Sequence, residues 1–167
     1  MRILGIDPGS QVTGYGVIDQ SQGHLSHVDN GGVFTRSQDT FAKRLHTIFK
    51  GVKSLIEKFS PDRVAIENIF YAKNVKSTVQ LGHARGAAMI AVMQFDLEIF
   101  EYTPLTIKQA VVGYGRASKE QIQQMVKQLL KLPEQACFDA SDALAVAICH
   151  AHSAKFESRV RAAGGLR

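Results

Sequence analysis

The chain has 167 residues, 45% of them hydrophobic and 21% charged, with a formal net charge of +5 and a pI near 9.3. That length suits one domain with a sizeable core, and no apolar run reaches the ~20 residues of a membrane-spanning helix. Three of the five excess positive charges sit in the tail, where Lys155, Arg159, Arg161 and Arg167 face only Glu157, so net charge alone does not identify a polyanion partner.

Cys137 and Cys149 are the only cysteines and form no Cys-x-x-Cys pair. A reduced, cytoplasmic protein is expected rather than a disulfide framework. Met1-Arg2 leads directly into an apolar run, which predicts no leader peptide.

The first apolar run opens at Ile3 and stops at Asp7. Pro8-Gly9 then turns the chain, and Val12 starts a second run that continues to Ile18. This predicts strand, tight turn and antiparallel strand, with Asp7 at a sheet end. A third strand is expected over 24–35, broken by Asn30-Gly31-Gly32. Asp39 or Thr40 can cap a helix that runs to about Phe59, with apolar residues at helical spacing from Phe41 to Ile56. Ser60-Pro61-Asp62 ends it.

Arg63-Val64-Ala65-Ile66-Glu67 repeats the pattern of an apolar run stopped by an acid. Such runs imply a sheet covered on both faces. Strand, helix and strand suggest a parallel crossover, with ligands bound at strand ends near the topological switch. A loop over 68–74 holds Phe70, Tyr71 and Lys73, and a helix is predicted over 75–93. Its middle, residues 82–88, is small enough for another backbone to come close. A strand over 97–102 follows. Pro104 then opens a short helix carrying Lys108, and Gly113-Tyr114-Gly115-Arg116 reads as a loop. Ser118 and Gln121 form a capping box for a helix to about Leu130. Leu132-Pro133 breaks it, and Phe138 or Asp139 starts a last, buried helix through about His152. Residues 1–153 are expected to form one domain, and 154–167 a basic, disordered tail.

Asp139 and Asp142 lie three residues apart at a helix start, hence on one face. Alone, they read as an N-cap and a dipole-favoured acid. Asp7 and Glu67 change the balance. Four acids that converge repel one another and are pushed toward protonation, and a divalent cation removes that cost. Oxygen ligands favour Mg²⁺ or Mn²⁺ over zinc. His150 and His152 lie two residues apart, on different helix faces, and are read as ordinary surface or supporting residues.

Five segments together resemble the RuvC family of Holliday junction resolvases. They are Gly5-Ile6-Asp7-Pro8-Gly9, Glu67-Asn68-Ile69-Phe70, Gln80-Leu81-Gly82-His83-Ala84-Arg85-Gly86, Lys108-Gln109-Ala110-Val111-Val112-Gly113 and Asp139-Ala140-Ser141-Asp142-Ala143-Leu144-Ala145. The resemblance runs from Met1 to about His152. It implies an α/β, RNase H-like fold: a mixed sheet of about five strands, three antiparallel and then parallel, with helices on both faces. It implies a homodimer that cuts two strands of a four-way DNA junction symmetrically in recombination and repair. It places the catalytic acids on Asp7, Glu67, Asp139 and Asp142 as Mg²⁺ ligands, with Mn²⁺ able to substitute. A branch-migration motor of RuvA and RuvB is an implied partner.

Phosphodiester hydrolysis needs an activated water and relief of charge on the leaving 3′-oxygen. Two metal ions roughly 3.5–4 Å apart answer both, and Asp7, as the acid of the central strand, is expected to bridge them. Lys73, Lys76, Arg85, Lys108, Arg116 and Lys119 are candidate phosphate contacts. The resemblance points most directly at Lys108 and Lys119. Phe70 is a candidate for stacking on an unpaired base.

An actin-like or sugar-kinase-like ATPase shares a strand ending in Asp before a Gly-rich hairpin. It also needs a second phosphate loop and a second domain, for which the chain is too short. A junction-binding protein with a relic site is opposed by the presence of all four acids. Junction DNA incubated with and without Mg²⁺ separates the three readings.

Overall fold

In this computed structural model the described residues are 1–68 and 75–162, with side chains through 154. Five strands form one mixed sheet: β1 (Arg2–Asp7), β2 (Val12–Ser21), β3 (His24–Phe34), β4 (Arg63–Glu67) and β5 (Ile99–Tyr102). Their spatial order is β3-β2-β1-β4-β5. The first three pair antiparallel, while β4 joins β1, and β5 joins β4, in parallel. The meander and the switch to parallel pairing are as the sequence predicts, although β5 begins two residues later.

The expected break in β3 is absent. Asn30, Gly31 and Gly32 stay in register with Gly16, Tyr15 and Gly14. The Tyr15 ring lies over Gly31, so a neighbouring side chain covers the bare backbone. The irregularity falls instead between Val17 and Ile18 of β2.

Helices cover both faces. α1 (Phe41–Phe59) and α2 (Val75–Met93) pack on one. Thr40 caps α1 by accepting from the Lys43 N–H at 3.4 Å, and Ser60 ends it at φ 45°. α3 (Pro104–Val112), α4 (Lys119–Leu130) and α5 (Phe138–Ala162) cover the other face. The predicted capping box is present: the Gln121 N–H donates to Ser118 Oγ, and the Ser118 N–H donates to the Gln121 side chain at 2.8 Å. α5 extends past the end near His152 that the apolar pattern suggests.

From Ala140 to Ala151 every α5 residue but Asp142 is buried. The helix lies close enough to the sheet for backbone to meet backbone. A Cβ on Gly5 would stand 2.7 Å from the Ala147 nitrogen, and one on Gly16 would stand 2.7 Å from the Leu144 nitrogen. A Cβ on Gly14 would run into the Asp139 carbonyl oxygen. These three glycines therefore set the depth at which α5 sits.

Gly14→Ala is expected to force the start of α5 off the sheet. Overpacking of this kind costs about 1–3 kcal/mol, a fall in melting temperature of roughly 3–10 °C for a domain of this size. A thermal melt of the variant checks it.

Candidate active site

Strand alternation decides which way the two strand-end acids point. On β1, Leu4 and Ile6 face the α1–α2 core, whereas Ile3 and Gly5 face α5. Asp7 follows Gly5 by two residues and takes the α5 side. On β4, Val64 and Ile66 face the α1–α2 core and Ala65 the α5 core, so Glu67 also takes the α5 side. Ile6 pairs with Ile66 in parallel register. The two carboxylates therefore emerge side by side from neighbouring strands. The glycine-seated start of α5 brings Asp142 to the same place. Asp7, Glu67 and Asp142 line one cavity of about 270 Å³ together with Lys108 and Lys119, walled by Ile107 and Ile122.

The cavity is electrostatically costly. Burial, with Asp142 and Asp139 nearby, pushes the Asp7 carboxyl up to about 6, although its hydrogen bond with Glu67 pulls the other way. Burial, followed by the Asp7 charge and the same hydrogen bond, pushes Glu67 up to about 8. Each carboxyl opposes ionisation of the other, so the hydrogen-bonded pair shares a proton above the ordinary carboxylate range. Asp142 takes a different partner: the Lys119 ammonium donates to its Oδ2 at 3.0 Å, which raises the lysine's own pKa.

Among the described residues no three His, Cys, Asp or Glu side chains close tightly enough to hold a metal ion. The donor set nevertheless suits a hard cation. Every candidate ligand is a carboxylate oxygen, and two monovalent substitutes for a metal ion are already present, a proton shared by Asp7 and Glu67 and an ammonium on Asp142.

The other predicted contacts are dispersed. Asp139 acts on Asp7 only at longer range, through its charge. It lies in the first turn of α5, not at the N-cap that the simpler reading gives it. Lys108 reaches the cavity, and its ammonium donates to the Ala117 carbonyl at 2.7 Å. Arg116 is exposed in the loop before α4, and Lys76 is exposed in the first turn of α2. Arg85 is not brought to the site. It pairs with Glu101 of β5, and its side chain is only 18% exposed. Phe70 and Lys73 lie outside the described residues.

His150 is buried and His152 exposed. The His150 Nδ1 meets the Tyr102 hydroxyl at 2.8 Å and its ring lies 4.3 Å from that of Phe100, with burial pushing its pKa down to about 4. Sequence reasoning missed Ile107 and Ile122, because their helical periodicity marks them as core without saying that they wall a site. It also missed the Thr13 hydroxyl, which donates to the Gly9 carbonyl at 2.9 Å and ties the turn after Asp7. A polar residue inside the apolar run of β2 was the available signal.

The raised acids predict a pH dependence of stability. Below the ordinary carboxylate range both are protonated, folded or unfolded, and their contribution is fully present. As pH rises the unfolded chain releases these protons first, and the folded chain holds them until about 6 and about 8. The folded state binds more protons across that window, so stability falls from roughly pH 4 to pH 8. Glu67→Gln is expected to flatten this fall in chelator-treated protein, as melts at about pH 5 and about pH 8.5 will show.

The family model described as "Crossover junction endodeoxyribonuclease RuvC" matches residues 3–150. A crossover junction endodeoxyribonuclease RuvC of Geobacter sulfurreducens is 56% identical over 96% of this chain and 98% of its own length. The protein of the same name from Geotalea uraniireducens is 58% identical over 92% of this chain and 90% of its own. Among solved structures, Thermus thermophilus RuvC in complex with Holliday junction substrate superposes with a TM-score of 0.88 at 31% identity, covering 95% of this chain and 97% of that one. The RNase H-like sheet order, the acids at its strand ends and these likenesses agree: the chain belongs to the RuvC family of crossover junction endodeoxyribonucleases.

Proposed function

We propose that this chain resolves four-way DNA junctions by paired, symmetric, metal-dependent hydrolysis of phosphodiester bonds in two strands. The observation that carries the reading is one cavity in which Asp7, Glu67 and Asp142 converge with the ammonium groups of Lys108 and Lys119. Acids alone would repel a phosphodiester, and cations alone would bind it without activating water. The RuvC of Thermus thermophilus, solved with a Holliday junction, supports the substrate.

In this reading Asp7, Glu67, Asp139 and Asp142 hold Mg²⁺, two ions per site, and Mn²⁺ can substitute. The bound cation supplies the acidity that activates water and the charge that balances the leaving oxygen. The chain's own groups do the rest. A cation held there would favour the ionised forms of Asp7 and Glu67, with their shared proton released to solvent. Lys108 and Arg116 contact phosphates on the α3–α4 side, Lys76 does so at the start of α2, and Lys73 is a further phosphate contact. Phe70 stacks on an unpaired base. Residues 1–153 make the nuclease domain, with a basic appendage from 154 onward. The protein works in the cytoplasm beside a RuvA–RuvB branch-migration motor.

Cleavage of junction DNA with and without Mg²⁺ tests this reading. Asp7→Asn is expected to bind junctions and to lose more than the roughly 10²–10³-fold of a single electrostatic donor. Near-normal cutting by the variant would sink the proposed site.

A homodimer through α2 completes the proposal. Val75, Val79, Ile90 and Met93 are exposed large apolar residues on this helix, with fractional exposures of 81%, 50%, 62% and 56%. With Gly82 and Gly86 they recur every three or four residues, so they form one stripe. Among the described residues, a Cβ on either glycine would meet nothing within 4 Å. Packing inside the subunit thus explains the buried Ala84 and Ala88 and leaves the two glycines unexplained. Each costs about 0.5–1 kcal/mol in a helix interior, a cost that close approach of a second α2 offsets. A two-fold dimer presents two sites to the matching strands of a junction. Gly86→Leu should fold normally and sediment as a monomer that no longer nicks in pairs. A variant that remains dimeric would refute this contact.

A further inference from the structure

We propose that Lys119 is a resident counter-cation of the acid cluster, one that occupies Asp142 in the free protein and leaves it for a DNA phosphate when metal and junction bind. The inference rests on the metal-binding reading of the four acids, and it adds that one lysine couples the two ligands.

Three observations carry it. The first is the contact: the Lys119 Nζ lies 3.0 Å from Asp142 Oδ2, in the cavity that Asp7 and Glu67 also line. Besides Asp142, the charges of Asp7 and Asp139 also favour this ammonium. The second is its place on α4, whose first residue it is. A helix N-terminus disfavours cations. The acids therefore outweigh an unfavourable dipole at this position.

The third is the contrast between the two ends of the ion pair. The Asp142 side chain is 20% exposed and belongs to the buried helix α5, whereas the Lys119 side chain is 65% exposed. Its backbone is fixed on both sides. The capping box holds Ser118 and Gln121, and the Lys108 ammonium holds the Ala117 carbonyl. Only the flexible four-carbon stem is free to swing. Leaving Asp142 therefore needs rotation about side-chain bonds and no movement of the fold. Lys108 has no comparable role, because its described hydrogen bond goes to a backbone carbonyl rather than to an acid.

The consequence is linkage. An ammonium on Asp142 and a divalent cation at the same carboxylates repel each other. In free protein Lys119 therefore weakens metal binding while it stabilises the crowded acids. A phosphate arriving at the site offers the ammonium another anion and vacates Asp142. Metal then tightens junction binding by the factor through which the junction tightens metal binding.

The test is Mn²⁺ titration of the full chain without DNA, following free Mn²⁺ by electron paramagnetic resonance, together with thermal melts in chelator and at saturating Mn²⁺. Lys119→Met is expected to bind Mn²⁺ at least roughly fivefold more tightly than the parent, the lower end of ordinary coupling. Its metal-free melting temperature should fall, and the gap should close when Mn²⁺ saturates. Lys119→Arg keeps the charge and should keep the parent's affinity. Lys119→Gln gives the same readout if the methionine variant fails to fold. Parent-like or weaker Mn²⁺ binding by the neutral variants, with binding lost in Asp7→Asn, would overturn the counter-cation alone. Mn²⁺ binding that survives Asp7→Asn unchanged would overturn the metal reading, and the counter-cation with it.

Discussion

The close approach of α5 to β1 and β2 is the constraint on which the rest depends. Gly5, Gly14 and Gly16 remove three side chains from the sheet face, and the helix backbone fills the space they leave. Ala143 and Ala147 meet Gly5, and Asp139 meets Gly14. A buried helix this near a sheet has little freedom to slide, because interiors packed at crystal-like density transmit displacement rather than absorb it. Asp142 inherits that fixity. So does the spacing between a helix acid and two strand acids, although Asp142 lies 75 residues beyond Glu67 and 135 beyond Asp7 in the chain.

That fixity lets the site hold charges that would otherwise separate. Asp7 and Glu67 emerge from adjacent strands on the same face and cannot turn away from each other. The folded protein relieves the repulsion with what it has, a shared proton on one pair and the Lys119 ammonium on the other. Both are monovalent and both can be displaced. A site of this kind lowers the stability of the empty protein and gains from a ligand that brings positive charge, the trade expected where local consistency yields to function.

The two faces of the sheet divide the work. The α3–α4–α5 side closes over the acids and contributes both cavity lysines. The α1–α2 side carries no acid of the cluster. Arg85, on α2, is taken up by Glu101 at the neighbouring strand, a fold contact rather than a free cation. What α2 does present is an apolar stripe interrupted by two glycines that no described neighbour in the subunit requires.

The sequence by itself determined the elements and pointed to the three acids that the fold gathers in one cavity, Asp7, Glu67 and Asp142. Apolar runs stopped by Asp7 and Glu67, the Pro8-Gly9 turn, the Ser118–Gln121 box and the Asp139–Asp142 spacing are local patterns, and local geometry honours them. Residue chemistry and short spacings are enough for that, since capping, turns and helical period act over a few residues. Only the tertiary structure decided the rest. Asn30-Gly31-Gly32 looks like a break until the Tyr15 ring lies across Gly31 and β2 pairs with all three residues. The pairing of Arg85 with Glu101 is invisible in the sequence, and His150 looks ordinary until Phe100 and Tyr102 close over it. Lys119 reads as a candidate phosphate contact, and only the meeting of α4 and α5 shows that it pairs with Asp142. Each of these depends on a partner distant in sequence, and burial and pairing between distant segments are set by packing, which no short window of residues contains.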